Sequence, residues 1–394
     1  MEKKIDLVIQ SQCTGCRACF DACPTGSVIF MLSGLHYYPR INEKTCIKCG
    51  KCVSVCPTLK GVERHINNKA FSPLYYCAWN NDLKERSNAT SGGVGGALAK
   101  LALDMEWFVC GAAFNDKWEL NHMVSNRDTI LKKIRGSKYL QSNTEGVFKK
   151  IVELIEEGKR VLFIGTPCQT DAMRSFVPEK YTDSLLTCEI ICHGVNSPVV
   201  WSDYRSYIEK ANGSNITSYN FRSKSKGWGK LRVSYSYGNG KKKDVPAYRN
   251  IFHNWFGQHY MMRESCFRCN YRKKERYSDL IIGDFWGIER IEPSLNVKEG
   301  ASVLIVNSKK GSEFIKHADL NLIPVDANKA QMVMKGFVDK MPEKEKVMQI
   351  ERMKRFEKDY FSCSFEEMAL KRYPCNTWFN KMLKSVLFHL HIVK

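Results

Sequence analysis

The sequence predicts an α+β protein of mixed α/β type, in which a small cysteine-rich domain precedes a larger body. Eight of the 17 cysteines fall between Cys13 and Cys56, where they form two matched runs. Beyond about residue 72, short apolar runs typical of buried strands alternate with segments of helical periodicity. The 394 residues leave room for two or three domains. We expect boundaries that divide the chain into 1–64, 65–150, 151–340 and a basic, amphipathic helical tail over 341–394.

Composition and charge narrow the class of protein. Hydrophobic residues make up 43% and charged residues 26%, as in ordinary globular proteins. The net charge of +20 suggests nucleic acid or an anionic surface, but no DNA- or RNA-binding motif is present, so we expect no nucleic acid partner. No apolar run reaches the roughly 20 residues that span a bilayer, and the N-terminal run is too short for a signal peptide. We therefore expect a cytoplasmic protein, where clustered cysteines indicate metal.

The elements of the body follow from their periodicity. Helices are predicted over residues 92–105 and 144–158, and strands over residues 107–114 and in the apolar runs VLFIG, LLTCEII and DLIIG. Leu231 to Tyr237 alternate between apolar and polar and lead into Asn239-Gly240, a hairpin turn signal. The three apolar runs end in GTPCQ, CHG and GDFWG. Ligands of α/β sheets bind beyond the carboxyl ends of strands, so these three loops are candidate site loops.

The two cysteine runs share the pattern C-x-x-C-x-x-C-x-x-x-C-P. Three closely spaced sulfurs can bind three irons of one cubane, and the fourth cysteine is expected to start a short helix that carries it to the other cluster. Zinc and disulfides fit two matched quartets less well. The pattern resembles a bacterial two-cluster ferredoxin domain over residues 8–60. The predicted ligands are Cys13, Cys16, Cys19 and Cys56 for one 4Fe-4S cluster, and Cys46, Cys49, Cys52 and Cys23 for the other.

A second resemblance covers the body. The motifs ATSGGVGGALAKLAL, RGSKYLQS, GTPCQ, CHG, a C-x-x-C pair and GDFWG occur in that order over residues 89–287. Together they resemble the beta subunit of the coenzyme F420-reducing hydrogenase and dehydrogenase family. This resemblance implies a larger mixed α/β flavin-binding domain behind the two-cluster ferredoxin domain, with non-covalent FAD and at least one 4Fe-4S cluster beside it. It also implies hydride exchange with a two-electron donor such as reduced coenzyme F420.

Several residues in these motifs are predicted to bind the flavin. Backbone amides in the SGG helix start suit a phosphate, although caps and tight packing explain such starts as well. The RGSKY segment is either part of the FAD site or a solvated basic turn. Asp284 and Trp286 either form a wall of the site or belong to a turn without contact. The predicted cofactor-binding residues are Ser91, Gly92, Gly93, Arg135, Gly136, Ser137, Lys138, Tyr139, Thr166, Gln169, His193 and Asp284.

A third cluster is predicted in the body. The family pattern implies four ligands, each expected in a loop, namely Cys168, Cys192, Cys266 and Cys269. The alternatives are a structural cysteine pair or a zinc site, with Cys168 left as a neighbour of the flavin. His193 is expected to donate a hydrogen bond to a cluster sulfur or to the flavin. The remaining cysteines have no motif and are expected to be small buried apolar residues, namely Cys77, Cys110, Cys188, Cys363 and Cys375.

The basic segments and the C-terminus suggest partners. Residues 222–230, 241–243 and 272–276 are either solvated loops or docking sites for an acidic ferredoxin or for the anionic tail of the deazaflavin. The apolar residues from Phe379 to Leu390 recur at helical spacing. That helix either packs on the body or anchors the protein peripherally at the inner face of a membrane.

The function expected from these patterns is an iron–sulfur flavoprotein oxidoreductase. It would move electrons between a two-electron donor, FAD and 4Fe-4S clusters, with no side chain acting as catalytic acid or base. The expected partners are a small-molecule electron donor and a redox protein such as ferredoxin or a partner oxidoreductase subunit. Two alternatives remain open: a ferredoxin-dependent reductase of surface polysaccharide biosynthesis in a host without deazaflavin, and a non-enzymatic electron-transfer subunit.

Overall fold

The fold is known from a computed structural model that describes residues 10–60 and 71–375. Most of the predicted linker at residues 60–72, and the apolar repeat that begins at Phe379, lie outside these ranges. The strands are β1 Val28–Ser33, β2 His36–Ile41, β3 Leu74–Asn80, β4 Phe108–Phe114, β5 Leu120–Ser125, β6 Val161–Gly165, β7 Leu185–Ile190, β8 Ile216–Ser223, β9 Arg232–Tyr237, β10 Lys242–Pro246, β11 Leu280–Asp284, β12 Ser302–Val306 and β13 Leu320–Pro324.

Helices pack on both faces of the sheet, and short helices lie within or directly after the cysteine runs. They are α1 Ala18–Asp21, α2 Lys51–Ser54, α3 Pro57–Lys60, α4 Leu83–Asn88, α5 Val94–Asp104, α6 Thr129–Ile134, α7 Val147–Glu156, α8 Pro167–Phe176, α9 Pro198–Asn212, α10 Ile251–Gly257, α11 Glu264–Phe267, α12 Lys309–Ile315, α13 Ala327–Val338, α14 Glu343–Tyr360 and α15 Phe365–Glu367. Within the described residues, no helix combines the length and the hydrophobicity needed to span a bilayer.

An eight-stranded mixed sheet forms the body, in the order β13-β3-β12-β11-β7-β6-β4-β5. Strands β4, β6, β7 and β11 are parallel neighbours, and the outer strands pair antiparallel. The parallel strands are continuous apolar runs because both of their faces are covered by helices. Their carboxyl ends therefore lie at one edge of the sheet, where ligands of α/β proteins bind.

Alternate residues of the parallel strands pack into different cores. Leu162 and Leu186 lie in a core formed with helices α5, α6 and α12. Val161 and Phe163 point the other way, into a core formed with α7 and α8. Cys16 and Ala18 belong to this second core. The cysteine-rich domain is therefore packed directly on one face of the sheet.

The predicted fold class is confirmed: a small cysteine-rich domain with one hairpin precedes a larger mixed α/β body. The predicted helices and buried strands of the body are present, and the hairpin of β9 and β10 turns at Asn239-Gly240. The expected boundary at residue 150 falls inside helix α7. The expected tail also begins with a packed helix, since Phe356 of α14 is fully buried in a core with Trp255 and Tyr204.

Candidate metal centres and cofactor site

The first group of thiols surrounds a pocket in the cysteine-rich domain. The residues lining this pocket include Cys13, Cys16, Cys19 and Cys56. All four are buried, and burial raises the pKa of Cys16, Cys19 and Cys56, with neighbouring cysteines adding to the effect. Four thiols that converge on one pocket match the donor set of a 4Fe-4S cluster. These thiols would bind such a cluster as thiolates, so cluster binding would deprotonate them and replace a neutral group of side chains by a charged site.

The second group of thiols surrounds a neighbouring pocket, lined by Cys23, Cys46, Cys49 and Cys52 among other residues. Burial raises the pKa of Cys23, but hydrogen bonds from Thr25 and from backbone amides outweigh it and hold the pKa below its ordinary value. Cys49 is exposed to solvent. Each pocket thus receives one cysteine from the other run, in the crossed arrangement that the spacing predicts.

The short helices differ from the prediction. Helices α1 and α2 contain the third cysteine of each run, Cys19 and Cys52, and not the fourth. Cys23 follows α1 without starting a helix, whereas Cys56 directly precedes α3. The fourth cysteine reaches the other pocket because the chain leaves a helix of only four residues at that point.

The third group of thiols lies at the carboxyl end of the parallel strands. Cys168 follows β6, Cys192 follows β7, and Cys266 and Cys269 approach from α11. Burial raises the pKa of Cys168 and of Cys266 to about 12, and that of Cys192 further, and Cys269 adds to all three shifts. The four half-buried thiols therefore lie near one another, which fits the donor set of a third cluster.

Two of these four cysteines are not in loops as predicted. Cys168 lies in the first turn of α8, and Cys266 lies inside α11. Gly194 of the CHG motif explains the close approach of the two segments. A Cβ atom at Gly194 would lie 2.5 Å from Met262 Cε and 3.4 Å from Cys266 Cβ, and its φ of +144° is one that side chains disfavour.

The body site adjoins the first thiol pocket. Burial and then Cys56 raise the pKa of Cys16 most, and Cys168 of the body site makes a smaller contribution in the same direction. Burial raises the pKa of Tyr271, and both Cys168 and Cys16 add to this rise. Thr144 Oγ1 also donates a hydrogen bond to the Cys16 carbonyl at 2.7 Å. Cys52 of the second group adds to the raised pKa of Cys19 in the first pocket, so the first pocket adjoins both of the other groups. We refer to this arrangement as the row of thiol groups, with the body site on one side of the first pocket and the second group, which includes the exposed Cys49, on the other.

No group of three or more His, Cys, Asp or Glu side chains in residues 10–60 and 71–375 is placed to hold a single metal ion. A four-iron cluster makes a different demand, because each thiolate binds a separate iron at a corner of the cubane.

Two cysteines without a motif differ from the expectation. Cys77, Cys110 and Cys188 are fully buried, as predicted for small apolar residues. Cys363 and Cys375 are only half-buried, and the Cys363 thiol donates to the Asp359 carbonyl at 3.1 Å.

The SGG helix start is occupied by structural contacts. Ser91 Oγ donates to the Ala301 carbonyl at 2.6 Å, and the Gly92 amide donates to Ser302 Oγ at 3.0 Å. A Cβ atom at Gly92 would lie 2.4 Å from the Ala78 carbonyl oxygen, so close packing by itself accounts for glycine there. Gly93 caps helix α5 with a φ of 82°. These contacts favour the packing alternative for Ser91 and Gly92.

The RGSKY segment is half-buried against its neighbours, apart from Gly136, which is exposed. Arg135 pairs with Glu85, and Gly136, with a φ of 77°, precedes Ser137, whose amide donates to Thr90 Oγ1 at 2.8 Å. Lys138 Nζ donates to two backbone carbonyls, and burial lowers the pKa of this amine to about 7.

Tyr139 lies at the centre of the best candidate for a flavin site. Its hydroxyl accepts from Arg222 Nη1 at 3.0 Å, its ring stacks on Phe256, and His253 meets it edge-on. Asn196 Nδ2 donates to the Tyr139 carbonyl at 2.8 Å. Three buried polar atoms around Tyr139 have no hydrogen-bond partner within the described part of the chain: Arg222 Nη2, His253 Nδ1 and Asn196 Oδ1. Buried orphans of this kind suit a ligand that both donates and accepts hydrogen bonds.

Asp284 extends this site. Its carboxylate accepts from Arg222 Nη1 and from Trp228 Nε1, each at 3.1 Å. Trp286 stacks on Trp228 at a centroid distance of 4.3 Å. The solvated-loop alternative is thus wrong for Arg222, and also for Arg276, which forms a buried ion pair with Glu189.

Three predicted flavin contacts have other partners. Gln169 Oε1 accepts from the Thr166 amide at 3.0 Å and from its hydroxyl at 2.9 Å, as the capping residues of helix α8. Gln169 Nε2 donates to Ser142 Oγ. His193 does not bond to a sulfur among the described residues; its Nε2 lies 2.6 Å from His259 Nε2. Burial, followed by the neighbouring His259, lowers the pKa of His193 to about 4.

Arg263 is a buried residue beside the first thiol pocket that the sequence motifs did not single out. It is fully buried, and its Nε donates to the Cys13 carbonyl at 2.7 Å, a contact across 250 positions of the chain. The only signal in the sequence was its place three residues before Cys266, and no periodicity marks it.

Comparisons with known proteins agree with both halves of this arrangement. Residues 12–60 match the 4Fe-4S dicluster domain, and residues 158–327 match the family that comprises the C terminus of the coenzyme F420 hydrogenase/dehydrogenase beta subunit. An uncharacterized protein of Methanocaldococcus jannaschii is 24% identical over 351 residues, which cover 79% of this chain and 88% of that relative.

Two further matches are partial or remote. The VorC subunit of the ketoisovalerate oxidoreductase of Methanothermobacter marburgensis is 29% identical over 70 residues, 17% of this chain and 87% of VorC. A chain of the F420-reducing [NiFe] hydrogenase complex from Methanosarcina barkeri is similar with a TM-score of 0.40 and 18% identity, covering 73% of this chain and 91% of that chain.

The fold and the thiol groups define an iron–sulfur protein of the oxidoreductase type, with an electron-transfer domain at its N-terminal side. Within that class, the chain places a segment that matches the 4Fe-4S dicluster domain before a segment that matches the C terminus of coenzyme F420 hydrogenase/dehydrogenase beta subunits.

Proposed function

We propose that this protein is an iron–sulfur flavoprotein oxidoreductase that exchanges electrons between a two-electron donor and a one-electron partner protein. The observation that carries the proposal is the row of three thiol groups, in which the body site adjoins the first pocket near Cys16 and Cys168. When bound, FAD exchanges electrons in pairs and 4Fe-4S clusters exchange them singly. The family name and the resemblance of the motifs support reduced coenzyme F420 as the class of donor.

The residues of the body would hold the flavin and exclude water. The unpartnered atoms of Arg222, His253 and Asn196 would bind the polar edge of the flavin ring, and Tyr139 and Phe256 would offer it an aromatic surface. Asp284 fixes the Arg222 guanidinium, so that its free Nη2 keeps one direction. Because this site is buried, a bound flavin would pass its electrons to the clusters held by the thiol groups, and side reactions with solvent would be suppressed.

The opposite end of the row would meet the partner protein. Cys49 is exposed, and Ile47 beside it leaves 63% of its surface in solvent. Lys44 and Lys51 are exposed on the same segment. A small apolar centre with a basic surround suits an acidic redox protein, since opposite charges steer association and apolar contact completes docking.

Cofactor analysis of anaerobically prepared protein tests the proposal. Three cubanes require about 12 irons per chain, against about 8 for two. We expect about 12 irons and one FAD that acid or heat releases. Cys269→Ser should lower the iron content by about one third, and the control Cys110→Ser should not change it. About 8 irons in both wild type and Cys269→Ser would contradict the body cluster. A protein with about 12 irons and no flavin would be an electron-transfer subunit without its own catalysis.

A further inference from the structure

Arg263 is a charge buried without a carboxylate. It is 0% exposed, and its guanidinium donates to the Cys13 carbonyl at 2.7 Å, to the Tyr37 carbonyl at 2.7 Å and to Gln141 Oε1 at 2.8 Å. The Tyr38 ring lies 4.2 Å from the guanidinium carbon. These partners are all neutral, and among the described residues no acidic side chain forms an ion pair with Arg263.

Two other buried arginines of the body have carboxylate partners, whereas the buried Arg86 donates to the Gly300 carbonyl and lies over the Trp79 ring. Arg222 pairs with Asp284 at 3.1 Å, and Arg276 pairs with Glu189 at 3.1 Å. A buried charge without compensation is destabilising, so negative charge near a fully buried arginine is favourable. Neutral hydrogen bonds satisfy the donors of Arg263, but they do not supply that charge.

The position of Arg263 indicates where the charge comes from. Its Nη2 lies 3.8 Å from Cys13 Sγ, in the first thiol pocket. The backbone of Arg263 also contacts the body site: its carbonyl accepts from the Cys266 amide at 2.9 Å, and Arg263 is the N-cap of α11, the short helix that contains Cys266. One arginine thus contacts a cysteine of the cysteine-rich domain and a cysteine of the body.

The surrounding chain is built to keep the guanidinium in this place. Gln141 accepts from Arg263 and donates through Nε2 to the carbonyls of Thr14 and Gly15, each at 3.0 Å. A Cβ atom at Gly15 would lie 2.3 Å from Gln141 Nε2 and 2.8 Å from the guanidinium carbon of Arg263. Glycine at this position therefore permits the close approach of Arg263 to the first cysteine loop.

We propose that Arg263 is the shared counter-charge of the two neighbouring clusters, one held at Cys13 and one held at Cys266, and that it raises the reduction potential of both. The inference rests on the cluster sites of the proposed function. Thiolate-bound clusters carry negative charge that grows by one on reduction, and nearby charge and hydrogen bonds to sulfur set their potentials. A guanidinium does not deprotonate in proteins, so it stabilises the added electron without exchanging a proton.

Redox titration followed by electron paramagnetic resonance tests this role. In Arg263→Gln, we expect the ratio of reduced to oxidised cluster at a fixed ambient potential to fall about tenfold at both neighbouring clusters, equivalent to about 59 mV for one electron. The ratio of reduced to oxidised cluster at the Cys46 site should not change. Arg263→Lys keeps the charge and should restore most of the ratio. Arg86→Gln is the matched control, because Arg86 is buried, donates to the Gly300 carbonyl and lies over Trp79, away from the thiol groups.

Several outcomes separate this role from others. If Arg263→Gln loads fewer irons while Arg263→Lys loads the full set, the charge is needed for assembly and the inference is supported. Equal losses of iron in Arg263→Gln and Arg263→Lys would indicate that Arg263 acts only through its hydrogen bonds, and would overturn the inference. Unmoved potentials, or a change at only one cluster, in a protein with about 12 irons would overturn the shared role while the proposed function stands. A wild-type content of about 8 irons would instead refute the body cluster of the proposed function, and with it the shared role.

Discussion

The Asp21 carboxylate accepts a hydrogen bond from the Phe148 amide at 2.8 Å. It also accepts from the Gly146 amide at 2.6 Å and from the Lys149 amide at 3.2 Å. The N-terminus of α7 in the body is therefore capped by a side chain from α1 of the cysteine-rich domain. A negative charge at this helix end is also favoured by the helix dipole. This contact links the geometry of the first thiol pocket to that of the body.

Replacing this cap should loosen the contact between the two parts of the chain. Asp21→Ala is expected to lower the free energy of unfolding by about 1 kcal/mol, a typical effect of losing a helix cap. It should also slow electron exchange between the proposed body cluster and the cluster at Cys13, because their separation is less well fixed. Stopped-flow absorbance of the anaerobic protein measures that exchange.

The control for this experiment is Asp82→Ala. Asp82 caps α4 with hydrogen bonds to the amides of Lys84 and Glu85, and it has no contact with the thiol groups. A similar loss of stability with unchanged electron exchange is expected. If both variants slow the exchange equally, the slowing reflects general stability and not the interdomain cap.

Gly15→Ala is expected to disrupt the first cluster site. Gly15 has a φ of +67°, and its added Cβ atom would overlap Gln141 and Arg263. The iron content should fall by about four atoms per chain, the content of one cubane, as measured by iron assay after reconstitution. Gly26→Ala provides a control with similar backbone strain, since Gly26 has a φ of +64° but no atom near its Cβ position. Equal iron loss in both variants would argue that backbone strain, and not contact with Arg263, is responsible.

Charge reversal near the exposed thiol pocket should weaken the partner interaction. Lys44→Glu combined with Lys51→Glu is expected to reduce the rate of electron transfer to an acidic ferredoxin at least tenfold at low salt, because steering by opposite charge is lost. The difference from wild type should shrink as ionic strength rises. Lys132→Glu, an exposed lysine on α6, is the control. A rate that is insensitive to both salt and charge reversal would place partner docking elsewhere.

His122 is expected to make stability fall with acid. Burial, with a smaller contribution from Lys138, lowers the pKa of His122 to about 4, and its Nε2 meets the Ile164 carbonyl at 3.1 Å. The unfolded chain binds a proton near pH 6.5, so the stabilisation is complete above that pH and is lost as pH falls toward 4. Between pH 7.5 and 5.5 this one group should cost about 1 kcal/mol.

Comparing wild type with His122→Gln isolates this effect. Glutamine can still donate to the Ile164 carbonyl, but it does not titrate. Urea unfolding at both pH values should give a smaller pH-dependent loss in the variant, by about 1 kcal/mol. An identical loss in both proteins would show that His122 does not remain neutral in the folded state.

Much of the metal-binding arrangement could be predicted because it depends on the spacing of cysteines that lie only a few residues apart. The two cysteine runs assign Cys56 to the first pocket and Cys23 to the second, since a short local segment can reach only one side of each cluster. The ends of the strands could also be predicted, because buried parallel strands are continuous apolar runs. That placed Cys168 and Cys192 at one edge of the sheet.

Contacts between distant segments could not be predicted in this way. The sequence alone suggested that Thr166 and Gln169 bind flavin, whereas folding commits them to the cap of α8. It gave His193 a sulfur or flavin partner, but the chain brings His259 to it. Hydrogen-bonding side chains have many compatible partners, and only their final distances decide among them.

The sequence by itself determined the two-part architecture and the grouping of the cysteines, because periodicity and ligand spacing act over a few residues. Only the tertiary structure decided how the parts are joined. Arg263 reaches Cys13 across 250 positions, and Asp21 caps a helix 127 positions away. Such contacts depend on the packing of whole elements against the sheet. Burial then increases the energetic effect of each charge, because a charge removed from water must be compensated by groups inside the protein.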